Sequence, residues 1–447
     1  MTGVHRARLH PGATAGMLGI VLAFSATPAA LAAPTSVSPV RSAVSEQCTA
    51  ATRIEQAPPA LDSLQTEAAW SVTRGAGVTV AVVDSGVSTS NPHLSAAVTG
   101  GINLVPDGTD ATGSADLYGH GTAIAGQIAA RRIDGSGVVG LAPDARILPV
   151  RVFAGVDDEQ VEAGFGPSTV RIAEGIRAAT DLGAQIINVS MSTATPDQAL
   201  ADAVSYATER GSLVIGSSGN RDSTLAVEEN DGDGARYPAG YAGALGVAAS
   251  DLSGSPTDAS IHGPHVALAA PGEQIVTSSA AGGDCAYAAD VPATSYAAGY
   301  VSAAAALVAA AYPGETPAQW AYRLQATAVR PDPDARDDET GWGIVQPYDA
   351  LTLTPGSGIR GPTSPFLDAP PPAAGDAAVA PIAVVDDPGA DAAAIRIAMI
   401  TGLGALVVLG AVGALSVLVT RRRSERASQA TTASTRGGGL YGDSPPL

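Results

Sequence analysis

Short apolar runs and Ala-rich stretches alternate through the middle of the chain. Val78-Thr79-Val80-Ala81-Val82-Val83 is continuous and β-branched, the pattern of a strand covered on both faces. Runs of the same kind predict strands over 78–84, 146–153, 184–190, 212–216 and 244–249. Helical patterns fall between and after them, over 120–131, 168–182, 197–210, 295–311 and 317–328. Strand and helix in alternation predict an α/β domain around a mainly parallel sheet. A short helix between Asp62 and Arg74 leads into the first strand. The longest helical run opens at Thr294-Ser295, contains no proline and stops at Tyr312-Pro313-Gly314.

The two ends of the chain read differently. Residues 1–33 have Arg6 and Arg8, an apolar stretch over Met17–Ala26 and the small-x-small site Ala30-Leu31-Ala32, the layout of a signal peptide. Residues 34–64 form an amino-terminal extension and 65–352 the globular domain. Residues 353–394 are rich in Pro, Ala and Asp and read as a linker. Ile397–Thr420 is uncharged and apolar, longer than the ~20 residues that cross a bilayer. Arg421-Arg422-Arg423 follows it and predicts a cytoplasmic tail over 421–447. The domain is then extracytoplasmic, on a single-pass anchor in the cell membrane.

Composition narrows the options. The 447 residues carry a formal charge of −19, and every basic residue is Arg. Such a chain is a poor match for nucleic acid, whose binding depends on neutralising phosphates. There are two cysteines, Cys48 and Cys285. An even count in an exported chain predicts a disulfide, and two separate buried thiols are the alternative.

Four candidate residues stand at chemically useful places. Asp84 ends the first strand, His120 opens a helix, Asn220 follows the strand over 212–216, and Ser295 stands at the start of the long helix. A helix start presents unpaired N–H groups that stabilise a nearby oxyanion. A serine there needs a base, and the base needs an orienting group. Each residue alone has a plainer reading: a turn cap for Asp84, a helix-start residue for His120, a loop cap for Asn220. The ordered set favours Asp84, His120 and Ser295 as a catalytic triad and Asn220 as an oxyanion donor.

The blocks around these residues carry a resemblance. Asp84-Ser85-Gly86, His120-Gly121-Thr122, Ser218-Gly219-Asn220 and Thr294-Ser295 resemble the signature blocks of the subtilisin-like serine proteases. Tyr237-Pro238-Ala239 and Ala269-Ala270-Pro271-Gly272 also match in position. The resemblance implies a three-layer subtilisin-like fold and serine endopeptidase activity. It makes Ser190 and Met191, in Ile186–Ser192, walls of the primary substrate pocket. Thr294–Ser302 resembles the mycosins, the membrane-anchored subtilases of type VII secretion systems. That implies exported protein substrates and membrane secretion components as partners, with a structural role in the secretion complex as the alternative. It also implies an extension that stays as a strap, where most subtilases remove theirs.

Three features remain. Ala293 stands where most subtilases have Gly, which puts the backbone there in question. Gly155–Pro167 is an acidic loop that reads as a solvated turn, or as a lid or docking surface. Asp231 and Asp233 suggest a calcium loop without the late bidentate Glu, so an ordinary polar turn competes with it; no other metal or cofactor is expected. His93, His262 and His265 fit no catalytic block and read as surface or structural residues.

Overall fold

The computed structural model describes residues 48–221 and 232–367. The expected signal peptide, membrane helix and tail lie outside them, as do 34–47 and the linker beyond 367.

The strands are β1 (Thr79–Asp84), β2 (Ile102–Asn103), β3 (Arg146–Arg151), β4 (Ile186–Val189), β5 (Leu213–Ser217), β6 (Ala244–Ser250), β7 (Leu268–Pro271), β8 (Ile275–Ser278) and β9 (Asp284–Tyr287). The helices are α1 (Ala60–Ser63), α2 (Thr66–Trp70), α3 (His120–Ala129), α4 (Asp158–Glu162), α5 (Thr169–Asp181), α6 (Gln198–Glu209), α7 (Thr294–Ala311), α8 (Pro317–Ala326) and α9 (Pro347–Thr352). Seven strands form one sheet in the order β2-β3-β1-β4-β5-β6-β7, and every pairing in it is parallel. β8 and β9 form a separate antiparallel hairpin.

The strand period of two builds the layers. Val80 and Val82 join the core that contains α3 and α7. Ala81 and Val83, from the same strand, join the core that contains α5 and α6. The sheet is thus covered on both faces, which is why its central strands read as unbroken apolar runs. α7 is the one helix among the described residues long and apolar enough to cross a membrane, yet it is 89% buried inside the domain. It is the core helix of this layer.

The main strands and helices fall where the sequence pattern predicts them. The segment 62–74 is two short helices with Gln65 between them at φ 52°. The acidic loop carries the single short turn α4, capped by the side chain of Asp157 and without a buried residue. β2, β7 and the β8–β9 hairpin are additional to the predicted strands. Packing continues past 352. The Arg323 Nη1 donates to the Leu353 carbonyl at 2.7 Å, and Phe366 stands edge-on to Tyr322 at 5.8 Å.

Cys48 and Cys285 are joined by a disulfide, with Cα atoms 5.5 Å apart. It pins the start of the described chain to β9. The backbone then follows: Asp284 N–H donates to the Thr52 carbonyl at 3.0 Å and Gly137 N–H to the Ile54 carbonyl at 2.7 Å. Asp284 is the hub of this attachment. One carboxylate oxygen accepts from Ile54 N–H at 2.8 Å and Ser136 Oγ at 2.6 Å. The other lies 3.0 Å from His93 Nε2, in a fully buried pair. His93 Nδ1 lies 2.6 Å from the Arg131 carbonyl, so His93 is a structural residue that ties β9 to the end of α3.

Candidate active site

β1 ends in the carboxylate of Asp84, which is fully buried. α3 starts immediately beside it. Gly121, just after His120, makes this approach possible: a Cβ there would stand 3.0 Å from the Asp84 Cβ and collide with the Gly86 carbonyl. His120 is thereby held with its ring against Asp84, and Nδ1 lies 2.9 and 3.0 Å from the two carboxylate oxygens. The carboxylate accepts only, so Nδ1 carries the proton and Nε2 is left as the acceptor. Nε2 lies 3.0 Å from the Ser295 Oγ, on the first turn of α7. Asp84, His120 and Ser295, separated widely in sequence, thus form one hydrogen-bonded line.

Burial disfavours a charged imidazole. The charge of Asp84, its hydrogen bond and the charge of Asp116 outweigh that cost, and the His120 pKa is raised. Tyr296 covers the other side, with its ring centroid 5.5 Å from that of His120. Tyr287 of β9 stacks behind Tyr296 at 6.0 Å. Burial pushes both phenols up, Tyr287 to about 12, so both stay neutral.

Asn220 lies opposite. Its Oδ1 accepts the Thr294 N–H at 2.7 Å. With its oxygen engaged, its Nδ2 is the end left to donate. Ser217 Oγ and Thr294 Oγ1, 2.6 Å apart, tie the same loop to the start of α7, and Ser217 Oγ also accepts the Gly219 N–H. The first N–H groups of α7 have no partner inside the helix. A side-chain amide and a helix start therefore converge beside the serine. Ala293, the N-cap of α7, has φ −125° and ψ 133°, an extended conformation open to any L-residue. The alanine causes no backbone strain.

The end of β4 joins this arrangement through polar contacts. Ser302 of α7 donates to Asn188 Oδ1 at 2.9 Å, and Asn188 Nδ2 donates to the Ser190 Oγ at 2.8 Å. A Cβ at Gly219 would stand 3.0 Å from the Ser192 Oγ, so the 190–193 and 218–220 segments lie side by side. Met191 is fully buried within the core of α5 and α6. The suspected cation loop has another use. Asp231 lies outside the described residues, and Asp233 Oδ1 accepts from Arg221 Nη2 at 2.5 Å and His262 N–H at 2.9 Å. Two donors occupy that oxygen. Among the described residues no group of three or more His, Cys, Asp or Glu could hold a metal.

The sequence pattern of the subtilase family matches residues 75–343, a span that contains the whole hydrogen-bonded line. The chain belongs to the subtilase family. Within it the chain is similar to the mycosins: Mycosin-3 of Mycobacterium tuberculosis is 34% identical over 418 residues, covering 82% of this chain and 84% of the relative. Thermitase of Thermoactinomyces vulgaris is 36% identical over 213 residues, covering 47% of this chain and 69% of the relative. The solved structure of the MycP3 protease from the type VII (ESX-3) secretion system superposes with a TM-score of 0.58 at 31% identity, over 68% of this chain and 91% of that one. Subtilases are serine proteases, and the chain is a hydrolase of this subtilisin type.

Two features of the site have no counterpart among the residues that the sequence pattern points to. One is the Tyr287–Tyr296–His120 stack, which depends on the hairpin. The other is Asp116, which holds the start of α3 through Gly119 and Thr122. Asp116 stands three residues ahead of the N-cap Gly119, outside the position where a capping residue is read from sequence.

Proposed function

We propose that the chain is a membrane-anchored, extracytoplasmic serine endopeptidase that cleaves exported proteins at a type VII secretion system. The observation that carries the chemistry is the 3.0 Å contact from His120 Nε2 to Ser295 Oγ, backed by Asp84 on Nδ1. Ser295 Oγ attacks the scissile carbonyl while Nε2 takes its proton. Asp84 holds the tautomer and stabilises the imidazolium. Asn220 Nδ2 and the Ser295 N–H donate to the oxyanion. Nε2 then returns the proton to the leaving amine, and water repeats the sequence to free the acyl group from Ser295. Ser190, held by Asn188, and the backbone of Met191, whose side chain is buried in the core of α5 and α6, wall the primary pocket.

The secretion setting is supported by the similarity to Mycosin-3 and to the MycP3 protease from the type VII (ESX-3) secretion system. The cell-membrane anchor rests on the apolar run 397–420 and the arginines 421–423. The extension from Cys48 is proposed to remain as a strap, because the disulfide and Asp284 both hold it.

Treatment of the detergent-solubilised full chain with a fluorophosphonate tests the activity. Labelling at Ser295 that is lost in Ser295→Ala is expected. An unlabelled but folded wild type would refute the assignment of Ser295 as an activated nucleophile. Secretion assayed in a Ser295→Ala strain separates proteolysis from a scaffolding role, and copurification of membrane components tests the partners.

A further inference from the structure

A second buried carboxylate, Asp116, lies in the loop just ahead of the His120 helix. Asp116 receives four hydrogen bonds. Oδ1 accepts from Gly119 N–H at 2.7 Å and Ser85 Oγ at 2.9 Å. Oδ2 accepts from Thr122 N–H at 2.9 Å and Thr122 Oγ1 at 2.5 Å. The hydroxyl hydrogens are free for this purpose. Ser85 Oγ accepts separately from Gly121 N–H at 3.0 Å, and Thr122 Oγ1 from Ser88 N–H at 2.9 Å.

These bonds surround His120 along the chain: Gly119 precedes it, Gly121 and Thr122 follow it. Ser85 links the two carboxylates, since its N–H donates to Asp84 Oδ1 at 2.8 Å and its hydroxyl to Asp116. Ser85 is itself fixed from β3, where Arg151 Nε donates to its carbonyl at 3.1 Å.

We propose that Asp116 is a positioning residue for the subtilase reaction: its carboxylate fixes the first turn of α3 and sets a second buried negative charge behind the His120 imidazole. The inference rests on the triad reading above. Burial raises the Asp116 carboxyl, and its four hydrogen bonds offset only part of that rise. Gly119 N–H and Thr122 N–H can only donate, one to each carboxylate oxygen, a pattern that the ionised form satisfies with both oxygens accepting. The charge favours the imidazolium that forms when Ser295 loses its proton. The other groups that face His120 are Asp84 from β1, Ser295 and Tyr296 from α7, and Tyr118 from the loop before α3. Tyr287 of β9 lies behind Tyr296 and also senses Asp116. Its phenol and that of Tyr296 remain neutral, so Asp84 and Asp116 supply the charge.

The experiment uses the full chain with 13C-labelled histidine, of which there are six residues, and assigns the His120 signal with His120→Gln. Its titration is followed by NMR in the wild type, Asp116→Asn, Asp116→Ser and Ser85→Ala. Serine is neutral but still accepts from helix N–H groups, so it stands in if the asparagine variant does not fold. In parallel, the fluorophosphonate inactivation rate is recorded against pH. Removing the charge should move the His120 midpoint and the acid limb of the rate to lower pH, and lower the plateau rate roughly tenfold or more. Ser85→Ala should lower the plateau without moving the midpoint, because both carboxylates remain. A His120 midpoint unchanged in both neutral variants would overturn the proposal, as would an equal shift in Ser85→Ala. If the wild type is not labelled but the midpoint moves, the positioning role stands and the protease reading is what fails.

Discussion

Asn220 Oδ1 and the Thr294 N–H are 2.7 Å apart, and that contact decides which end of the Asn220 amide is left to donate. In the proposed oxyanion role, its donor would be fixed before substrate arrives and would need no reorganisation in the transition state. Asn220→Ala should lower kcat by about 100- to 1,000-fold with a small change in KM. Steady-state kinetics on a peptide substrate would check this. A mainly raised KM would mean that Asn220 binds ground state and transition state alike.

Asp284 gathers the strap, Ser136 and buried His93 on one carboxylate. Asp284→Asn replaces one acceptor oxygen by an NH2 group, so either His93 Nε2 or the Ile54 N–H and Ser136 Oγ pair loses its acceptor. A loss of about 1–3 kcal/mol is expected for leaving such buried groups without a partner, read from denaturant midpoints. Replacing Cys48 and Cys285 by Ser should cost about 2–5 kcal/mol. Retention of the extension makes a separate prediction: the mature protein should start ahead of Cys48 by intact mass, not near Ala60.

His265 gives the domain an acid-sensitive element. Its Nε2 lies 3.0 Å from the Ser218 carbonyl, and burial lowers its pKa from 6.5 to about 4. The sign follows from linkage. Above pH 6.5 the residue is neutral folded or unfolded. As pH falls from 6.5 towards 4, the unfolded chain takes up the proton first, so stability drops. The drop should total about 3 kcal/mol across that window. His265→Gln should flatten this part of the stability–pH curve; a curve identical to the wild type would show that other groups set it.

Ala293 has ordinary extended dihedrals. Ala293→Gly should therefore leave fluorophosphonate reactivity at the wild-type rate. It should reduce stability by about 0.4–1 kcal/mol, through the greater freedom of glycine in the unfolded chain. A faster-reacting glycine variant would mean that the methyl group, and not the backbone, restricts the site.

Much of the architecture is legible along the chain because it is periodic. β1 is covered on both faces and so is apolar throughout, and α7 is buried all round and so is uniformly Ala-rich. Short elements leave no such trace. The hairpin of β8 and β9 has four-residue strands, too few for a pattern to stand out from its Ser- and Gly-rich surroundings. That hairpin carries Cys285, the strap hub Asp284, and Tyr287 behind Tyr296. Asp116 leaves no such trace either: it stands ahead of the N-cap Gly119, and its partner Ser85 is 31 residues away.

The sequence by itself determined the strand–helix alternation and the identity and order of Asp84, His120, Asn220 and Ser295. These are properties of residue type and local period. Only the tertiary structure decided the His120 tautomer, the orientation of the Asn220 amide, the extended backbone at Ala293, the use of Asp233 by Arg221, and the enclosure of Asp116. Each of those depends on which donor or acceptor a distant segment brings within about 3 Å, and hydrogen bonding falls away too steeply with distance and angle for sequence spacing to fix it.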